Sequence, residues 1–109
     1  MKQKSPFELA IDLQGQVGRL VRSYDIDSLP AEERETLMAL KRQAAEVRLD
    51  MRDYGLAETA AAQQRLAAET RARLQELDTL ILKAGSLDLI GAADVAQFSA
   101  IAQQLMSDL

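Results

Sequence analysis

Carboxylates, hydroxyls and amines are the side chains through which this 109-residue chain could do chemistry, because histidine, cysteine and tryptophan are all absent. Without histidine there is no ordinary acid–base group near pH 7. Without cysteine there is no thiolate nucleophile or sulfur metal ligand. Asp25-Ile26-Asp27 opens like a calcium loop, but the glycine and glutamate such a loop wants at its sixth and twelfth positions are Pro30 and Thr36. The segment reads as an acidic turn. Glu69 and Glu76 could face a di-metal site in a bundle, yet such sites pair each glutamate with a Glu-x-x-His partner. They read instead as solvated, with Glu69 four residues before Arg73 in the favourable order for a helix pair. Ser5, Ser23, Ser28, Ser86, Ser99 and Ser107 have no base at hand, since a Ser–Lys pair needs Lys41 or Lys83 desolvated beside one. The chain is expected not to be an enzyme and is assigned no cofactor or metal.

Two patterns point to recognition rather than catalysis. Arg34, Lys41 and Arg48 recur every seven residues, a flanking line that sets partner and direction in coiled coils. They are read as partner contacts or as a solvated basic line. Gly15-Gln16-Val17-Gly18 has the letters of a nucleic-acid clamp loop but lies inside a helical pattern. A surface for close helix crossing is the favoured reading, with simple tolerance of two glycines beside it.

The elements that position these residues are helical throughout. Ser5-Pro6-Phe7-Glu8 forms a capping box with proline at the first helical position. Phe7, Ala10, Ile11, Val17, Leu20, Val21 and Tyr24 then give one apolar stripe, predicting a helix over about 6–23. Pro30 and a cluster of glutamates open a second, about 30–54, with Leu37, Leu40, Ala44, Val47, Met51 and Tyr54 in steps of three and four. Gly55 is read as a tight C-terminal turn or as a bend in one long helix. A third helix is predicted over about 57–84, ending at Lys83-Ala84-Gly85. The fourth, about 88–107 with Ser86 or Asp88 as its cap, carries Val95, Phe98, Ala102, Leu105 and Leu109. No run alternates with period two long enough for a strand. The expectation is one all-α domain over 1–109: an antiparallel bundle of about four helices around a long central hairpin, packed like a coiled coil.

Composition bounds the function. Apolar residues make up 48% of the chain and charged residues 28%, with a net charge of −4, so the chain falls in the globular range. The acidic balance disfavours nucleic acid and anionic membranes. No apolar run is long enough to span a bilayer, and no targeting signal follows Met1, so a cytoplasmic protein is expected, of bacterial style from its alanine, glutamine and arginine usage. The apolar supply looks larger than one chain needs, which suggests a homodimer. The leading reading is a non-enzymatic protein–protein interaction module: an adaptor, chaperone-like protein or regulatory subunit. Leu74, Leu77, Ile81, Phe98, Ile101 and Leu105 are the expected contacts, with Arg34, Lys41 and Arg48 setting orientation. The alternatives are a helical bundle binding a ligand or metal through buried carboxylates, and a nucleic-acid-associated regulator.

Overall fold

A computed structural model describes residues 4–109. Four helices follow one another: α1 (Pro6–Arg22), α2 (Ala31–Leu56), α3 (Ala60–Ser86) and α4 (Ala92–Ser107), with a 3₁₀ turn at Ile26–Ser28 between the first two. Each helix packs on its neighbours in the chain, and α1 also packs on α4, closing the four into an antiparallel bundle. The α2/α3 pairing register is marked by Glu32 opposite Lys83 and Asp50 opposite Arg73. The described residues contain no strand.

The capping box is present as expected: the Glu8 amide donates to Ser5 Oγ at 3.2 Å, and the Ser5 amide donates to Glu8 Oε1 at 3.3 Å. The buried line of α1 is Ala10, Leu13, Val17 and Val21, whereas Phe7 and Ile11 are turned outward. The expected α1 stripe thus merged two faces, because it passed over Leu13, which locates the true centre. On α2 the seam is buried from Leu37 through Met51, and Tyr54 is half-buried.

Glycine positions depart most from expectation. No glycine has a positive φ. Gly55 is neither turn nor bend: α2 runs through it to Leu56, and Ala57–Thr59 makes the connection. Thr59 Oγ1 then accepts from the Ala62 amide at 3.1 Å and caps α3. Gly85 does not end α3 either. Its place there is set by packing, since a Cβ on it would stand 2.7 Å from Val95 Cγ2 of α4.

The Schellman turn lies three residues further on. The Leu89 amide donates to the Ala84 carbonyl at 2.9 Å, and the Asp88 amide to Gly85 at 3.1 Å. Asp88 supplies the left-handed residue, with φ 59°, so it ends α3 and leaves α4 to Gly91 without a side-chain cap.

The helices differ in length, and this shapes the molecule. α2 and α3 have 26 and 27 residues, against 17 and 16 for α1 and α4. α1 and α4 cover the greater part of the hairpin, the end nearer Tyr24 and Leu89. Arg71 Nη2 donates to the Met106 carbonyl, which places the end of α4 at the level of residue 71. Beyond Met51 and before Thr70 no side chain is buried, and the last turns of α2 and first turns of α3 form a two-helix arm. At the opposite end the Tyr24 hydroxyl donates to the Leu89 carbonyl and fastens the α1–α2 connection to the α3–α4 turn.

Candidate interaction surface

Each expected contact residue has a definite place. Leu74, Leu77, Ile81 and Leu105 are fully buried, Phe98 is 3% exposed, and Ile101 packs half-buried against them. Within the folded chain they form the core where α3 meets its neighbours. The apolar breadth of α3 is used inside the bundle, so all of these residues except the half-buried Ile101 are withdrawn from the outer surface. Periodicity marks an apolar face but does not say which chain covers it, and here the neighbouring helices of the same chain do so.

Arg34, Lys41 and Arg48 do lie on one outward line of α2, the side that meets α1. Lys41 lines a shallow trough of about 310 Å³ together with Ile11, Gln14, Gly15, Gly18 and Arg22 of α1. Gly15 and Gly18 meet no other helix: an added Cβ would find only the Arg19 side chain at 3.8 Å or that of Arg22 at 3.2 Å. Close crossing within the chain is therefore not their role.

Cations divide by whether a carboxylate lies within reach. Lys4, Arg52, Arg73 and Lys83 each have a carboxylate partner within salt-bridge reach. Among the described residues, Arg19 and Arg22 of α1 and Arg34, Lys41, Arg42 and Arg48 of α2 have none, and neither do Arg65 and Arg71 of α3, the latter donating instead to the Met106 carbonyl. Arg48 Nε is in addition buried without an acceptor. Arg73 is the contrast. It reaches across from α3 to Glu46 and to Asp50, the latter at 2.6 Å, instead of pairing with Glu69 along its own helix. The hydrogen bond to Asp50 raises its pKa above the usual arginine value, with partial burial opposing and Asp50 and Glu46 adding attraction.

Apolar side chains border the free cations. The large apolar residues left most exposed are Phe7, Ile11, Met38, Leu49, Leu56 and Leu82. Phe7 and Ile11 share one line of α1, and Met38 and Leu49 share one line of α2, so the basic row runs between them. This surface was only half legible. The heptad of cations stands out in the sequence, but Phe7 and Ile11 were absorbed into the core stripe of α1.

The chemistry of sites is sparse elsewhere. Among the described residues no three acidic side chains gather as a metal site would require. The buried polar side chains are Thr36, Gln43 and Thr70, and no carboxylate is among them. Asp25 accepts from the Ser28 hydroxyl at 2.6 Å, a local turn contact. No described helix is long and apolar enough to cross a membrane. No protein-family model, curated protein or solved structure matches the chain.

Proposed function

We propose that this chain is a non-enzymatic interaction module that binds a protein partner through the outer face of α1 and α2. One observation carries the reading: Arg22, Arg34, Lys41 and Arg48, none with a carboxylate partner, share the α1/α2 face with the exposed Phe7, Ile11, Met38 and Leu49. Isolated exposed apolar residues are ordinary. Apolar residues grouped around charged ones have the mixed character of a partner-binding surface. The ligand-binding alternative asks for a buried carboxylate and finds none among the buried side chains. A nucleic-acid role runs against the net charge of −4.

The same reading makes the module a homodimer through its arm, whose faces α1 and α4 leave uncovered. It places the protein in the cytoplasm of a bacterium, where a chain without cysteine is at no disadvantage. A photo-crosslinking residue at position 38, compared with one at position 82, tests the module in the native host. Adducts with a single protein from position 38, absent from position 82, are the expected result. The same diffuse background from both positions would sink it.

A further inference from the structure

We infer that the α1/α2 face takes an acidic amphipathic helix, with carboxylates at every seventh residue, lying along the line Arg34–Lys41–Arg48. This rests on the interaction-module reading and adds the chemistry of the partner.

The first ground is a second period on α2. Its inward seam runs Leu37, Leu40, Ala44, Val47, Met51. Its outward line runs Arg34, Met38, Lys41, Ala45, Arg48, again in steps of four and three. Such spacing presents one continuous seam to a helix lying nearly parallel. The three cations stand about 10.5 Å apart along the axis, seven residues at helical rise. Carboxylates at positions i, i+7 and i+14 of a partner helix would meet them in register.

The second ground is charge. These cations, and Arg22 beside the trough, have no carboxylate within reach in their own chain, although the chain is acidic overall. Arg48 Nε, buried without an acceptor, lacks what a partner carboxylate would supply. The third ground is shape. The trough between Ile11 and Lys41 is open, and the two glycines remove side chains from its α1 wall, letting a helix settle between the rows. The glycines alone indicate nothing; the cations and the flanking apolar residues choose the occupant. From Phe7 to Arg22 the face is about 22 Å long, enough for a helix of roughly fifteen residues.

The test uses the full chain and a fluorescein-labelled sixteen-residue helical peptide, with Glu at every seventh position and Leu and Ala between. Fluorescence anisotropy should show saturable binding, weakened at least tenfold by R34E combined with K41E. A peptide with Lys in place of Glu should bind that charge-reversed chain and ignore the natural one. Gly15→Leu, which fills the trough without changing charge, should also weaken the acidic peptide. A circular-dichroism melt checks that each variant folds.

Equal binding of the acidic peptide to natural and charge-reversed chains would overturn the inference. So would a preference of the same residues for a sixteen-nucleotide single-stranded DNA or for phosphatidylserine vesicles. A dimer that R34E/K41E dissolves would overturn it as well, by showing a second copy on this face. If position 38 crosslinks to a protein but the acidic peptide is ignored, the partner chemistry fails and the module reading stands. If position 38 also gives only background, both fail.

Discussion

At the scale of single residues, stability turns on atoms whose surroundings are unusual. Gln43 is 8% exposed, and its Oε1 is buried without a donor. Leaving a polar oxygen desolvated and unpaired costs about 1–3 kcal/mol. Gln43→Leu should therefore raise stability by about 1 kcal/mol in urea unfolding, and a loss would contradict the assignment. The glycines separate by the same local logic. Gly55 has open space where a Cβ would go, so Gly55→Ala should gain up to about 1 kcal/mol from helix propensity alone. Gly85 faces Val95 at 2.7 Å, and overpacking there should outweigh that gain, making Gly85→Ala destabilising by about 1–2 kcal/mol. Pairing it with Val95→Ala relieves the clash and should recover part of the loss. None of this could be read from the sequence, where every helical glycine looks alike. What distinguishes them is the distance to another helix.

Elements end where backbone groups find partners, and this explains which boundaries were legible. The start of α1 was plain because its cap is local: Ser5 and Glu8 are three residues apart and satisfy each other. The end of α3 was not, because glycine is the usual left-handed residue and here aspartate holds that conformation. Asp88→Gly should stabilise by about 0.5–1 kcal/mol, measured as a rise in the urea midpoint at unchanged slope. Between elements the Arg73 clamp joins α3 to α2 near the base of the arm. Its side chain is 32% exposed, so Arg73→Met should cost only about 0.5–1 kcal/mol, and less in high salt. The seam of α2 was read correctly from period alone. The outward line beside it was noticed only through its charges.

For the whole molecule, unequal helix lengths matter more than the core does. The sequence indicated an apolar surplus, and a second copy was the expected remedy, but four helices of one chain enclose most of it. What is left is an arm with no buried side chain and the exposed Leu56 at its tip. Light scattering across a hundredfold dilution tests whether two arms pair. A persistent dimer that Leu56→Glu turns into a monomer is the expected result, and a natural chain that stays monomeric throughout would dispose of the idea. The two tyrosines of the chain happen to mark these two regimes. Tyr24 sits where the two inter-helix connections are fastened together, and Tyr54 sits within the arm, near the far end of a helix about 39 Å long. No tryptophan drowns their emission. Tyr24→Phe and Tyr54→Phe would each leave one natural fluorophore, giving two optical gauges at opposite ends of the molecule. Curves that coincide on heating would mean that the arm and bundle melt as a unit, while an earlier change at Tyr54 would show the arm loosening on its own.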